Sequence, residues 1–141
     1  MNTTIKNLNE LEDKKVESME QDFTFKIGKE GFMYEADIER DCEGNITDVT
    51  EHGLLDDKVN WDTEDSIAHA FMEDAYIWTD LDQQVYDAGV DETVIYYVDV
   101  DEFIKNHMFE EEEMEFIKEH EEKGYMKVYI TVTENTILEE E

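Results

Sequence analysis

Acidic residues dominate the middle of this chain and limit how it can fold. No lysine or arginine lies between Lys58 and Lys105, whereas thirteen aspartates and glutamates do. Burying an unpaired carboxylate is costly, so a folded structure must place nearly all of these acids at its surface. The same stretch contains a helix-start signal at 61–64 and an apolar run at 93–100. We therefore expect it to supply both core and an acidic surface.

The acidity extends over the whole chain. Its 141 residues include 41 acids and 11 bases, which gives a formal net charge of −30. Disorder is a common outcome of such a charge, but 40% of the residues are hydrophobic and 11% are aromatic, and they occur in periodic runs. We therefore expect one folded domain with one core. A net charge this large destabilises a compact state, so we expect function to favour its retention.

The chain divides into three parts by composition. We expect a weakly structured or short helical lead at 1–21, one acidic α+β domain at 22–138 and an acidic tail at 139–141. Cys42 is the only cysteine, so no intrachain disulfide can form and a reducing compartment is the simpler assumption. There is no signal-peptide pattern and no run of about eighteen apolar residues. The sequence predicts a soluble cytoplasmic protein, in the host cytoplasm if it is encoded by a phage.

Three strands are predicted before the acidic stretch. Apolar and polar residues alternate over 23–27 and over 32–38, and a glycine-containing turn at 28–31 would join them as a hairpin. After a second turn, the β-branched residues of 46–51 predict a third antiparallel strand.

A long amphipathic helix is predicted next, capped by Asp62 or Thr63. Its apolar face should pack on the sheet and contains Ile67, Ala70, Phe71, Ala75, Trp78, Leu81 and Val85. On the opposite face, Glu73, Asp80 and Asp87 recur every seven residues, about 10.5 Å apart on a continuous helix. The predicted result is a row of exposed carboxylates, flanked by Asp65, His69 and Tyr76.

Asp74 does not fit this helix, because it falls within the apolar face. Either the helix breaks or bends near Thr79, which could cap a second helix, or Asp74 has a specific partner that offsets the cost of burial. The break or bend is the preferred interpretation.

Gly89 is suited to closing the helix, and residues 93–100 predict a strand. Both faces of this strand are largely apolar, which is typical of a central position in a sheet. Asp99 or Asp101 can then cap a short helix that runs to about Met108.

Residues 110–123 predict a further helix, with Met114 and Ile117 facing inward and Gly124 at its end. Alternation over 125–133 predicts the last strand. The order strand-strand-strand-helix-strand-helix-strand predicts a single two-layer α+β domain, with helices packed on an antiparallel or mixed sheet of about five strands.

Metal sites and catalytic motifs are weakly supported. Asp41 begins a calcium-loop-like pattern, but Ile46 stands where that loop needs glycine. Asp65, His69 and Glu73 share one helix face, yet an exposed polar stripe in so acidic a chain produces such a set by chance. There is no serine elbow, phosphate-binding glycine loop or zinc spacing, and Cys42 is a nucleophile candidate only by default. We expect no metal, no cofactor and no enzyme activity.

The charge therefore carries the functional signal. A solubilising surface or adaptation to high salt would account for it, although ten of the eleven bases are lysine, which also suits an A+T-rich genome. Nucleic-acid mimicry is the more specific hypothesis. Carboxylates two residues apart on a strand are about 6.6 Å apart, close to the spacing of successive phosphates, so a rigid acidic fold can occupy a basic groove.

In its small size, extreme acidity across a folded α+β body, single cysteine and aromatic-rich core, the chain resembles the DNA-mimic proteins of phages and mobile elements that block restriction enzymes or CRISPR effectors. The resemblance is one of composition and size, with no aligned motif. It implies inhibition by occupying a nucleic-acid-binding site. The residues that would then face the partner are Asp65, Glu73, Tyr76, Asp80, Asp87, Asp91, Glu92, Asp99, Asp101, Glu102, Glu110, Glu111, Glu112, Glu113 and Glu115.

The partner implied by this reading is a basic nucleic-acid-binding protein, such as a nuclease, CRISPR effector or restriction enzyme. Nucleic acid and anionic membranes would be repelled, and a homodimer that extends the acidic surface is possible. An alternative is an immunity or chaperone-like protein dedicated to one basic partner, such as a nuclease toxin. That function would also need exposed apolar patches. A further alternative is a high-salt-adapted binding domain.

Overall fold

The computed structural model describes residues 2–8, 16–27, 33–54 and 61–139. Within them the chain forms a seven-stranded antiparallel sheet with four helices packed on it, so the predicted α+β class is confirmed. The elements are β1 Asn2–Ile5, β2 Val16–Ile27, β3 Met33–Asp41, β4 Ile46–Leu54, α1 Trp61–Glu73, α2 Ala75–Asp87, β5 Thr93–Asp99, α3 Val100–Asn106, α4 Glu111–Glu119, β6 Glu121–Glu122 and β7 Tyr125–Glu139. None of the described helices has the length and apolarity needed to cross a bilayer.

Strand β7 organises the sheet. The strand order is β1-β7-β2-β3-β4, and β5 and β6 also pair with β7. One edge of β7 pairs with β2. Because β7 has 15 residues, its other edge accommodates two strands: β5, Thr93–Asp99, pairs with its N-terminal half, and β1 pairs with its C-terminal half. The prediction that 93–100 forms a central strand is therefore wrong. In the described part of the chain, β5 has a single long neighbour, and Ile95 and Tyr97 remain exposed.

The N-terminal segment also differs from its prediction. Residues 2–5 and 16–21 lie in strands rather than in a short helical lead. Strand β2 extends back to Val16, but a bulge between Val16 and Ser18 interrupts its two-residue period, so the buried residues Val16 and Met19 are not spaced as in a regular strand. Val16 packs with Leu8, Met19 and Ile137 in a small second core. Strand β7 continues to Glu139, the first residue of the predicted tail. Residues 140–141 and the predicted turn at 28–31 lie outside the described residues.

The main core joins the helices to one face of the sheet. Phe71 of α1 contacts Phe25 with ring centroids 5.0 Å apart, and Trp78 of α2 contacts Phe23 at 5.8 Å. The predicted apolar helix face is largely buried, as expected, because Ile67, Phe71, Trp78, Leu81 and Val85 lie in this core. Ala70 is half-buried, whereas Ala75 is exposed, since a new helix begins there.

The break in the helix occurs at Asp74 itself and not near Thr79. The buried carboxylate caps α2 by accepting hydrogen bonds from the backbone N–H groups of Tyr76 and Ile77, at 3.0 and 3.1 Å. Its second oxygen lies 2.9 Å from Nε2 of His107. Both explanations offered for Asp74 are therefore correct, because the helix breaks there and the carboxylate has a specific partner. Thr79 lies within α2 and donates to the carbonyl of Ala75.

The C-terminal helices begin largely as predicted. Asp99 caps α3 by accepting from the N–H of Glu102 at 3.2 Å. Helix α4 ends at Glu119, however, before the predicted end at 123. Residues 121–122 pair back onto 125–126, and Lys123 and Gly124 adopt φ values of 55° and 89° in the connecting turn. Gly124 therefore serves a hairpin turn and not a helix end.

A buried polar network connects the two cores. The Arg40 side chain is fully buried, its Nε donates to Oε1 of Gln21 at 2.8 Å, and its Nη1 lies 2.7 Å from the carboxylate of Asp82. Gln21 in turn donates to the carbonyl of Val85 and to Oδ1 of Asn135. These bonds tie β2, β3 and β7 to α2.

Candidate functional site

The face of the sheet opposite the helices carries a cluster of acids. Along β2, Met19, Gln21 and Phe23 are buried toward the core, so the alternating Glu20 and Asp22 project from the open face. The neighbouring strands repeat this arrangement. We call six acids of this face the acidic ladder: Glu20, Asp22, Asp37, Glu39, Asp48 and Glu134. Asp37 is buried, whereas Glu39, Asp48 and Glu134 are exposed.

Strand register places these acids directly opposite one another. Glu39 pairs with Glu20 on one side and with Asp48 on the other. In the adjacent row, Asp22 pairs with both Asp37 and Glu134. Directly opposed Cβ atoms lie about 5 Å apart, and like charges in that position are destabilising. The ladder is therefore a set of repulsive pairs held in place by the rest of the sheet.

The titration of the ladder reflects this crowding. Partial burial, reinforced by the Asp22 and Asp37 carboxylates, raises the pKa of Glu20 above its ordinary value. Burial also raises the pKa of Asp22, with further contributions from Asp37 and Glu134. His52 offsets part of the charge, because its Nε2 lies 2.6 Å from Oδ2 of Asp37. This hydrogen bond raises the pKa of His52.

The free energy of unfolding is expected to rise as pH falls from about 8 to about 5. Glu20 and Asp22 have folded-state pKa values above their ordinary 4.5 and 3.8, so the folded state binds protons first and gains stability on acidification. His52 acts in the same direction, because its stabilising contribution is present below 6.5 and is lost as pH rises through its raised pKa. Urea unfolding at a series of pH values measures the trend.

A matched variant tests the origin of this trend. The Glu20→Gln/Asp22→Asn variant removes two repelling charges and should be more stable at pH 7 by about 1 kcal/mol. Its stability should also rise less on acidification. A wild-type protein that loses stability steadily between pH 7 and pH 5 would contradict the assignment.

The helix acids predicted to form one row are divided by the break at Asp74. Glu73 ends α1, whereas Asp80 and Asp87 lie on α2, so the regular spacing of a continuous helix does not extend across them. All three are exposed, but Asp80 accepts from the Tyr96 hydroxyl at 3.2 Å. Asp65 is half-buried, and Tyr76 is 79% exposed.

Several other predicted partner-binding acids have structural roles. Glu92 accepts from the N–H of Gly89 at 2.7 Å, and Asp99 caps α3. Glu113 accepts from the N–H of Glu110 at the start of α4, at 3.4 Å. Acids in the first turn of a helix also interact favourably with its dipole. The remaining predicted acids, Asp91, Asp101, Glu102, Glu111, Glu112 and Glu115, are exposed at the ends of β5, α3 and α4.

Two groups of described side chains bring three possible metal-ligand atoms within 4.8 Å of one another. One group is Glu20, Asp22 and Asp37 of the ladder. The other joins His69 and Glu73 to Glu51 of β4, and not to Asp65 as the sequence suggested. Nδ1 of His69 contacts Glu51 at 2.8 Å and Nε2 contacts Glu73 at 3.1 Å. Burial of His69 opposes its protonation, but the hydrogen bond and charge of Glu51, together with the charge of Glu73, raise the pKa of His69 above its ordinary value. The group is therefore arranged as a histidine between two acids.

A tyrosine pocket lies at the other end of the open face. Tyr97 of β5 with Tyr125 and Tyr129 of β7 lines a cavity of about 440 Å³. The rings of Tyr97 and Tyr125 have centroids 6.5 Å apart and planes at 89°. Tyr97 is 53% and Tyr125 47% exposed. Glu122 and Lys127 also line the pocket, which gives this end a mixed charge.

Sequence reasoning missed both open-face features. The alternation of acids with buried residues along 19–23 and 34–39 was available as a signal for the ladder. The tyrosine pocket depends on the pairing of β5 with β7, which local patterns do not reveal. Comparisons with protein-family models, with curated proteins and with solved structures found no significant match.

Proposed function

We propose that this protein is a non-enzymatic acidic inhibitor that presents carboxylates in place of nucleic-acid phosphates. It occupies the basic DNA- or RNA-binding groove of a host defence or DNA-processing protein, such as a CRISPR effector or a restriction enzyme, in the cytoplasm. The observation that carries the proposal is the acidic ladder, in which six acids lie on four adjacent strands, β7, β2, β3 and β4, of one sheet face.

The ladder has spacings that suit this role. Adjacent strands are about 4.8 Å apart and alternate residues along a strand about 6.6 Å apart. Each strand of duplex DNA carries one charge per about 3.4 Å of helix axis, and successive phosphates are farther apart than this rise because the strand winds around the axis. Proteins that bind DNA supply lysine and arginine tracks. A sheet fixes its carboxylates before binding, so a basic partner does not have to order a flexible polyanion. Binding also relieves the repulsion between Glu20, Asp22 and Asp37.

A second candidate function is a dedicated partner for one basic protein, such as a nuclease toxin. The observation that favours it is the exposed apolar surface beside the ladder, formed by Ile95, Tyr97 and Tyr125. Apolar patches rimmed by polar residues mark protein interfaces, and carboxylates that stand in for phosphates do not by themselves require such a patch.

Affinity capture from a bacterial lysate at low salt tests these proposals, with and without excess duplex DNA. The ladder variant Glu20→Gln/Asp22→Asn/Glu39→Gln should bind the captured nucleic-acid-binding proteins about tenfold more weakly and therefore retain less of them. The matched control Glu111→Gln/Glu112→Gln/Glu115→Gln removes the same charge from α4 and should retain them. The helix variant Glu73→Gln/Asp80→Asn/Asp87→Asn tests the surface that the sequence suggested.

The outcomes separate the hypotheses. Captured nucleic-acid-binding proteins that DNA displaces, and that only the ladder variant loses, support mimicry through the ladder. A single basic protein that persists in excess DNA favours the dedicated-partner function. Equal loss in the ladder and control variants would mean that net charge alone drives binding, and would overturn the assignment of the ladder.

A further inference from the structure

The tyrosine pocket has the construction of an aromatic cage. The rings of Tyr97 and Tyr125 stand at 89° to each other, and Tyr129 also lines the cavity of about 440 Å³. This volume lies within the range of small-ligand pockets, about 300–1,000 Å³. Aromatic cages bind organic cations because the negative faces of several rings converge on one site.

The protein already places a cation at this site. Nζ of Lys127 lies 5.8 Å from the centroid of the Tyr97 ring, within the distance at which a cation and a ring attract. The chain's own ammonium thus shows that this ring face accepts positive charge. An ammonium is compact and strongly hydrated, whereas a guanidinium is planar, weakly hydrated and stacks on aromatic rings. An arginine should therefore displace Lys127 from Tyr97.

The lining of the pocket has a mixed charge, with one carboxylate, Glu122, beside Lys123 and Lys127. Glu122 lines the cavity, and a carboxylate can bind a guanidinium through two parallel hydrogen bonds. The net charge of −30 attracts cations and repels anions over longer distances. We propose that the tyrosine pocket receives an arginine side chain of the basic partner protein, an inference that rests on the proposed function and adds a residue-specific anchor to it.

The pocket and the ladder lie on one surface. Tyr129 and Glu134 are on the same strand, about 17 Å apart at 3.4 Å per residue. A standard interface of about 800 Å² on each partner covers both. The partner would therefore carry a basic patch opposite the ladder and an arginine beyond its edge.

Tripeptides with blocked ends test the cage without knowledge of the partner. Acetyl-Gly-Arg-Gly-amide is compared with its citrulline analogue, which has the same shape and no charge, by NMR titration of the tyrosine resonances. The arginine peptide should shift the signals of Tyr97, Tyr125 and Tyr129, and the citrulline peptide should not. Equal shifts with both peptides would overturn the proposal.

Variants of the pocket residues provide a second test of the proposal. Lys127→Met removes the competing ammonium and should tighten binding of the arginine peptide about threefold. Tyr97→Leu should abolish the shifts at Tyr125 and Tyr129, and because Tyr97 is half-exposed, this variant should still fold. Met108→Ala is the control at a fully exposed side chain that does not line the pocket, and it should leave the tyrosine shifts unchanged. Weaker binding of the arginine peptide by Lys127→Met would show that the ammonium does not compete with arginine for the Tyr97 ring, and would also overturn the proposal.

The same titration separates failure of the cage from failure of the proposed function. If the arginine peptide shifts the NMR signals of Glu20 and Asp22 but not those of the tyrosines, the proposed cage is wrong and the proposed role of the ladder is unaffected. If the tyrosines respond but nucleic-acid-binding proteins are not captured, the cage stands as a cation site and phosphate mimicry falls.

Discussion

The Arg40→Met variant is expected to lose about 3 kcal/mol of its free energy of unfolding. Methionine fills much of the same space, but removal of the guanidinium leaves Oε1 of Gln21 without its donor and the Asp82 carboxylate without its cation. The carbonyl of Gly44, which accepts from Nη1 at 2.8 Å, also loses a partner. Asp82 is 33% exposed, so water can hydrate its carboxylate once the guanidinium is removed. The expected loss therefore lies at the lower end of the range of about 3–5 kcal/mol for breaking a buried ion pair.

Urea unfolding followed by circular dichroism measures this loss. Arg40→Lys keeps the charge but lacks the planar group that reaches both Gln21 and Gly44, so it should lose an intermediate amount. The Arg40→Met/Asp82→Leu double variant removes both charges and should recover part of the loss. A loss of less than about 1 kcal/mol for Arg40→Met would show that the network contributes little to stability.

The Asp74→Ala variant is expected to lose about 2 kcal/mol. The substitution removes the cap of α2, worth about 1 kcal/mol, and the hydrogen-bonded partner of His107. Because Asp74 is buried, water replaces neither interaction fully. Two free backbone N–H groups would remain at the start of the helix.

Two further variants separate the contribution of the helix cap from that of the contact with His107. Asp74→Ser can still cap α2 but cannot pair with His107, so it should lose less than Asp74→Ala. Thr79→Ala changes the residue that the sequence suggested as the cap and should alter stability by less than about 0.5 kcal/mol. Equal losses for the serine and alanine variants would mean that the cap contributes nothing measurable.

The sequence predicts those parts of the fold that depend on local periodicity. Alternation predicted the strands that lie in β2, β3 and β7, β-branched composition predicted β4, and helical spacing predicted the buried face of Ile67, Phe71 and Leu81. The position of β5 was mispredicted because Ile95 and Tyr97 make its open face apolar, which resembles the burial of a central strand. The pairing of β5 and β1 with one long strand is a non-local property.

The break at Asp74 and the pairing of acids in the ladder could not be predicted from the sequence for a different reason. Aspartate and threonine both cap helices, so the sequence left open which residue divides α1 from α2. Only the position of His107, 33 residues later, provides Asp74 with its partner. The acids of β2 and β3 alternate visibly along the chain, but the register that sets them face to face with Glu134 is fixed by contacts more than 100 residues apart.

The internal position of Arg40 affects how copies of this protein meet one another. It is the only arginine among 141 residues, and its guanidinium is fully enclosed. The basic groups on the outside of each molecule are therefore lysines and histidines, which stack on tyrosine less well than arginine does. A neighbouring copy thus has no guanidinium with which to fill the tyrosine pocket. Even in a crowded solution of the protein, the pocket stays available to arginines of other chains.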